Sequence, residues 1–237
     1  MPEMLSRAHP SSPRQHLTPS RASFSALQRE ELLLALVLTI GASTFSRWRF
    51  FEQAWVQDIV GLKALPWHWY VSLLFLGLGL LLTLPTRKRS GLGPGSIGLH
   101  WKRVLLVCGG AVLATALVYP QLPTRPWANS SITMWLISPL AQSLFFIGYL
   151  YGRLEHAFPG YIHPRLPFTR ALVLTVTFFA FWHLPNAFSL PFGYFLFQLL
   201  YTSVLQMIPW LSRQWTGSIW YAVLTHSAIN FIAWYAS

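Results

Sequence analysis

Of the polar side chains within the apolar segments of the C-terminal half of this sequence, seven are best placed to do chemistry. They are Gln142, Ser143, His183, Gln198, Gln206, His226 and Asn230. His226 and Asn230 are four residues apart, as are Phe179 and His183, so each pair projects from one face of a helix. Such groups are costly inside a membrane and usually face the bundle interior. Histidine and asparagine there more often form interhelical hydrogen bonds than catalytic sites, so spacing alone leaves both roles open.

The composition is that of an integral membrane protein. Hydrophobic residues make up 54% of the 237 residues and charged residues only 10%, whereas soluble domains carry roughly 25% charge. The single cysteine, Cys108, excludes a disulfide scaffold and is expected to be a buried, inert thiol. The net charge of +11 is spread over short segments between apolar runs. This distribution does not indicate a nucleic-acid surface, so no nucleic-acid partner is expected.

Apolar runs recur along the chain and predict an all-α membrane bundle of about seven transmembrane helices, since one span takes about 20 residues. Trp and Tyr cluster near many run ends, as they do at membrane interfaces. A soluble helical bundle would not need so many apolar runs in so short a chain. The seven runs cover residues 31–45, 67–84, 104–119, 131–151, 171–188, 192–211 and 217–236. The first is the shortest, and without it the side of the N-terminus would change.

The charges between the runs predict the orientation. Lys and Arg total 13 in one alternating set of segments, which includes the N-terminus, and 4 in the other set. Because basic residues are retained in the cytoplasm, the N-terminus is predicted to be cytoplasmic and the C-terminus external. A bacterial inner (plasma) membrane is the expected location. An organellar membrane is the alternative, since the N-terminal segment is rich in Ser and Arg.

The chain divides into three regions by composition. Residues 1–29 are rich in Pro, Ser and Arg and are predicted to form a disordered cytoplasmic tail. Residues 30–130 hold the N-terminal spans, and residues 131–237 form the core with the candidate site. The glycine-rich segment Thr86–Lys102 is predicted to be a flexible cytoplasmic connection, and its glycines lack the spacing of a phosphate loop.

From about Ser131 onward the sequence resembles the CPBP family of CAAX proteases and bacteriocin-processing membrane proteins, which includes the type II CAAX prenyl endopeptidases. The family's F-x-x-x-H motif is present at Phe179–His183, and its H-x-x-x-N motif at His226–Asn230. Thr216–Trp220 is similar to the T-G-S lead-in of the last helix, and Gly98–Arg103 to a G-L-x-W stretch. The resemblance implies a CPBP fold and an intramembrane endopeptidase site with catalytic His183, His226 and Asn230.

The family's first motif is altered. It reads P-h-x-E-E-h-h-F-R-G, and the matching stretch Pro139–Gly148 keeps the proline, the phenylalanine and the final glycine. Gln142 and Ser143 stand at the positions of the paired glutamates, and Ile147 stands at the arginine. The loss of the arginine is consistent with the loss of both glutamates, because an arginine buried without its carboxylates would be an expensive unpaired charge. The predicted pocket is neutral.

This loss bears on the mechanism that the resemblance implies, in which a glutamate activates water while the histidines and the asparagine position it and stabilise the oxyanion. A positioned base is worth roughly 10²–10⁴ in rate, and Gln142 cannot accept a proton at neutral pH. No other carboxylate is expected to replace the glutamate, because Glu30 and Glu31 stand at the membrane edge where the first run starts, and no carboxylate lies farther inside a run. The six in the chain are Glu3, Glu30, Glu31, Glu52, Asp58 and Glu155.

Three other routes to catalysis stay open. A histidine could act as the base. His183, His226 and Asn230 could hold a metal ion weakly, although asparagine is a poor ligand and no metal or other cofactor is predicted. Ser143 could be a nucleophile activated by a histidine, without any motif to support it.

The sequence therefore predicts a CPBP-type membrane protein with a degenerate site, acting as a non-catalytic binding or assembly factor. Its expected partners are the lipid bilayer and a membrane protein or lipid-modified peptide. An active intramembrane endopeptidase is the alternative, because both histidine motifs survive. A transporter is disfavoured because no acidic side chain lies within a span. We expect Gln142, His183, His226 and Asn230 to converge in one pocket between the fourth, fifth and seventh spans.

Overall fold

The computed structural model describes residues 24–47, 67–96, 98–118, 133–188 and 191–235, and these residues are helical or form the connections between helices. Within these ranges there is no strand, only an isolated bridge between Tyr161 and Thr169. The helices are α1 (Ala26–Arg47), α2 (Trp67–Thr83), α3 (Arg87–Ser90), α4 (Trp101–Val118), α5 (residues 133–157), α6 (Arg170–His183), α7 (Phe192–Thr216) and α8 (Trp220–Tyr235). Short 3₁₀ turns precede α4 at Gly98–His100 and follow α6 at Leu184–Phe188.

Each of the seven apolar runs coincides with a helix, which confirms the all-α prediction. In the described ranges, three helical stretches are long and apolar enough to cross a membrane: Trp101–Val118, Arg170–Phe188 and Phe192–Thr216. A shorter apolar helix covers Val71–Thr83. The described part of the chain is thus all-helical, and its apolar helices are those of an integral membrane protein. The number of seven spans stays a prediction.

The start of α1 differs from the predicted boundary. The backbone amide of Ser25 donates to the Gln28 side chain at 3.0 Å, and the amide of Gln28 donates to the Ser25 hydroxyl at 3.2 Å. This reciprocal capping box starts the helix at Ala26. Residues 26–29, assigned from composition to the tail, therefore belong to α1. The rest of the predicted tail, residues 1–23, lies outside the described residues.

Helix α5 is the centre of the bundle and packs against α1, α2, α3, α6 and α8. Its side chains are buried continuously from Ser143 to Tyr151. Two α-helical segments, Ser138–Ser143 and Tyr151–Ala157, alternate with π-helical segments at Thr133–Ile137 and Leu144–Leu150. Wider π turns are rare overall. Where one interrupts an α-helix, it is often at a functional site. The second one directly follows Gln142 and Ser143.

Helix α4 presents an apolar outer surface. Leu105, Leu106, Leu113 and Leu117 are each at least 59% exposed, while Thr115 is buried and accepts a hydrogen bond from the Tyr201 hydroxyl of α7 at 3.1 Å. A soluble protein rarely exposes so contiguous an apolar face. The surface is suited to contact with lipid chains.

The glycine-rich segment after α2 is not a free connection, which corrects the prediction of a flexible loop. It docks on the turn between α7 and α8: the amide of Ile219 donates to the Gly91 carbonyl at 3.0 Å, and the Ser218 hydroxyl donates to the Gly93 carbonyl at 2.8 Å. Gly91 and Gly95 have φ of 71° and 67°, a conformation that glycine adopts without strain. At Gly95 a Cβ atom would lie 2.5 Å from the Thr216 carbonyl oxygen. The T-G-S turn thus has a structural partner.

Candidate functional site

The ring of Phe179 is the centre of an aromatic cluster that joins four helices. Its centroid lies 5.0 Å from Phe146 of α5, 5.3 Å from Trp210 of α7, 5.0 Å from His183 of α6 and 6.4 Å from His226 of α8. All four contacts are edge-to-face, a favoured geometry for aromatic rings. Phe179 is 1% exposed, so this cluster is fully inside the protein.

Phe179 brings the two motif histidines into one region. Because both imidazoles contact this ring, their centroids lie at most about 11.4 Å apart. That is within the limit of about 12 Å expected for a shared pocket bridged by hydrogen-bonded intermediaries. His183 is half-buried at the last residue of α6. His226 is 3% exposed, and its Nδ1 has no hydrogen-bond partner among the described residues.

The first-motif positions line the interior face of α5. Gln142 is half-buried and donates from Nε2 to the Ser138 hydroxyl at 2.9 Å. Ser143 is fully buried, and in the part of the chain that the structure describes its hydroxyl has no partner. Ile147 is 1% exposed. Phe146, within one turn of all three, carries the contact from α5 to Phe179.

Asn230 lies one turn beyond His226 on α8 and is half-buried. Its helix packs against the start of α5, where the rings of Trp135 and Phe231 meet at 5.5 Å. The helices that carry Gln142, His226 and Asn230 are thus direct neighbours. That the three polar side chains meet in one pocket stays a prediction.

Residues 124–232 match the family model described as type II CAAX prenyl endopeptidase Rce1-like. The match includes the altered first motif, both histidine motifs and the T-G-S turn. The resemblance drawn from these motifs is confirmed. The matched residues, somewhat under half of the chain, are similar to this family of CAAX proteases, and the apolar helices are those of a membrane protein. No curated protein and no solved structure matches it.

Two further polar candidates in this Rce1-like region lie on α7. The Oε1 of Gln198 accepts a hydrogen bond from the Asn186 side chain at 2.8 Å, which ties α7 to the turn after α6. That pairing gives Gln198 a structural role. The side chain of Gln206 lies outside the described residues.

Two carboxylates have hydrogen-bond partners that the sequence did not predict. Glu31 at the start of α1 is buried and accepts two hydrogen bonds from the Arg153 guanidinium of α5, at 2.6 and 2.5 Å. These bonds raise the pKa of Arg153 above its usual value. Glu155 accepts a hydrogen bond from the Tyr151 hydroxyl at 3.1 Å. Glu31 and Arg153 are 122 positions apart in the chain, so no sequence pattern reveals this pair.

The described residues contain no group of three His, Cys, Asp or Glu side chains that could hold a metal ion. His183 and His226 both contact the Phe179 ring. The interior around Phe179 therefore offers two imidazoles, several aromatic rings and the neutral side chains of α5.

Proposed function

We propose that this CAAX-protease-type protein binds a membrane-embedded or lipid-modified partner, or supports assembly of a membrane protein, without hydrolysing a peptide bond. The observation that carries the proposal is the buried, neutral first motif, in which Gln142 and Ser143 stand where the family has glutamates. Neither an amide nor an unactivated hydroxyl takes a proton from water at neutral pH. Without a base, amide hydrolysis loses roughly 10²–10⁴ in rate.

The carboxylates within the described ranges do not supply a substitute. Glu31 is held by Arg153, Glu155 is exposed and bonded to Tyr151, and Glu30 is exposed. The acidic residues Glu3, Glu52 and Asp58 lie outside those ranges. The unpaired Ser143 hydroxyl supports the same view, because it faces the protein interior without the base that would activate it as a nucleophile.

The retained groups suit recognition. Aromatic rings and a buried imidazole form an apolar interior with one polar handle, the common makeup of pockets for lipid-like ligands. A prenylated peptide combines an apolar chain with a peptide that needs hydrogen bonds. The name of the matching family, a prenyl endopeptidase, favours this class of ligand.

Binding without cleavage is the test. The purified chain in lipid nanodiscs should bind a fluorescent farnesylated CAAX-type peptide, and the peptide should be recovered intact by mass spectrometry. His226→Ala should weaken binding roughly tenfold, the effect of losing one interior hydrogen-bonding group. The exposed His163 provides a control, and His163→Ala should leave binding unchanged. Failure to bind, or equal losses in both variants, would contradict the proposal.

An active endopeptidase is the second candidate. It is favoured by the two histidines held on Phe179 and by the buried Nδ1 of His226, which a water or substrate could engage. An imidazole would then be the base, because its pKa lies near neutrality in water.

We also propose seven transmembrane spans with the N-terminus in the cytoplasm of a bacterial cell, and an organellar membrane as the alternative. The support is the charge bias of 13 against 4 basic residues between alternate segments.

A further inference from the structure

A cavity of about 90 Å³ lies at one end of the bundle, away from Phe179. It is bounded by the start of α1 at Glu31, the short helix α3 at Arg89, and the last turns of α5 at Arg153 and His156. These positions are helix ends next to connecting segments. If the helices cross the membrane, the cavity opens at the level of the lipid headgroups.

The cavity has an excess of positive charge. The carboxylate of Glu31 already accepts hydrogen bonds from Nε and Nη2 of Arg153, and Nη1 of the same guanidinium donates to the Tyr149 hydroxyl at 3.4 Å. The guanidinium of Arg89 has no acidic partner among the described residues, and its side chain is exposed. His156, also exposed, adds a second donor. One arginine is thus left to attract an anion.

The backbone under Arg89 is fixed. Its carbonyl oxygen accepts a hydrogen bond from the buried Arg213 of α7 at 2.6 Å. A Cβ atom on Gly152 would lie 2.9 Å from that same carbonyl oxygen, so the glycine permits the close approach of α3 to α5. Arg89 therefore extends from an anchored helix, and less conformational entropy is lost when it binds a ligand.

Exposed apolar side chains lie near the cavity residues in the sequence. Leu33, two residues after Glu31, is 63% exposed, and Leu84, two residues before Thr86, is 56% exposed. Neither lines the cavity. Residues two apart on a helix, such as Glu31 and Leu33, point to different faces, so these side chains would contact the acyl chains of a bound lipid outside it. Arginine suits phosphate in particular because its planar fork can donate two parallel hydrogen bonds.

We propose that this cavity binds the phosphate of an anionic phospholipid headgroup, held by Arg89 and His156 beside the neutralised Glu31–Arg153 pair. Free inorganic phosphate offers the same anion without the acyl chains, so the test includes it. Basic pockets between transmembrane helices are known to bind anionic headgroups. This site is separate from the aromatic cluster and does not depend on the proposed function.

Lipid selectivity tests the proposal. The full chain in neutral detergent is titrated with phosphatidylglycerol, phosphatidylcholine or inorganic phosphate, and binding is followed by native mass spectrometry. We expect phosphatidylglycerol to bind at least about fivefold more tightly than phosphatidylcholine, since one basic side chain contributes that much at an anionic surface. Arg89→Gln should abolish the preference. Arg87→Gln, an exposed neighbour outside the cavity, should keep it.

Three results would overturn the proposal. One is equal binding of the two lipids. Another is an equal loss in Arg87→Gln and Arg89→Gln, which would indicate diffuse surface charge. The third is displacement of the lipid by millimolar inorganic phosphate, which would assign the cavity to a free anion. Arg89→Lys retains the charge, and it should keep at least half of the preference if Arg89→Gln fails to fold.

Discussion

Three side chains of α5 decide the chemistry available at the residue scale. Ser143 and Ile147 are fully buried and Gln142 is half-buried. A charged group at any of these positions would therefore need an oppositely charged partner beside it. Across from them, Phe179 holds both imidazoles through ring contacts. The residues that could position a substrate are thus present, while the described part of the chain holds no free carboxylate beside them.

We expect α5 to tolerate charged residues at positions 142, 143 and 147 only when all three are introduced together. Gln142→Glu alone would place one carboxylate in a neutral interior, and we expect it to lower the unfolding temperature in detergent. Gln142→Glu with Ser143→Glu and Ile147→Arg supplies a counter-charge and should be less destabilising than Gln142→Glu with Ser143→Glu. Thermal unfolding of the three variants measures this order. A triple variant less stable than the double would contradict the account of why the three positions changed together.

The motif histidines could be located from the sequence because their spacing and order are distinctive. The contacts of Phe179 with rings on other helices could not be predicted, since the sequence does not indicate which rings a phenylalanine in an apolar run will contact. Four helices supply its neighbours, and helix packing alone decides that arrangement. The pair of Glu31 and Arg153 was hidden for the same reason.

At the scale of elements, α5 is held in place by three different devices. An ion pair joins it to α1, aromatic rings join it to α6, and glycines allow α3 to approach it closely. Elsewhere in the bundle, the docked segment after α2 is hydrogen-bonded to the turn between α7 and α8. Helices could be predicted because long apolar runs have few alternatives in a membrane. The π segments and the docked loop leave no such pattern.

Breaking the pair between α1 and α5 should cost stability. Glu31→Gln leaves Arg153 with a weaker partner, and because the arginine is 39% exposed we expect a loss of only about 1 kcal/mol. The exposed neighbour gives the control, since Glu30→Gln should change little. A double-mutant cycle with Arg153→Gln measures the coupling. A coupling near zero would show that the two helices are held by packing alone.

Glycine substitutions test whether the segment after α2 is docked. Gly91→Ala and Gly95→Ala introduce a side chain at positive φ and against neighbouring atoms, so each should destabilise the fold by at least about 1 kcal/mol. At Gly93 a Cβ meets nothing within 4 Å, so Gly93→Ala should be silent. Limited proteolysis of residues 86–98 should accelerate in the first two variants only. Equal proteolysis in all three would argue against docking.

For the molecule as a whole, charge and apolar surface point to a chain that lies across a bilayer. The apolar outer face of α4 and the three spanning stretches account for the high hydrophobic content. The Rce1-like match covers the C-terminal part, where α5 to α8 meet around Phe179. Near the C-terminal end of α5, Glu31 of α1 and Arg89 of α3 meet Gly152 and Arg153.

The orientation can be measured with reporter fusions. Fusions after Ser90 and Gly160 should read cytoplasmic, and fusions near Pro123 and Ser237 should read external, because the basic residues lie in the segments of the first pair. A cytoplasmic Ser237 together with an external Ser90 would reverse the orientation.

Peptide turnover tests the central claim most directly. Purified wild-type protein in lipid nanodiscs is incubated with a panel of prenylated and unmodified membrane peptides, and products are quantified by mass spectrometry beside His183→Ala and His226→Ala. We predict no turnover above that of the two variants, because in the proposed function Gln142 and Ser143 replace the glutamate that would act as the base. Robust wild-type cleavage that disappears in His183→Ala would contradict the account and identify an active protease that uses histidine chemistry.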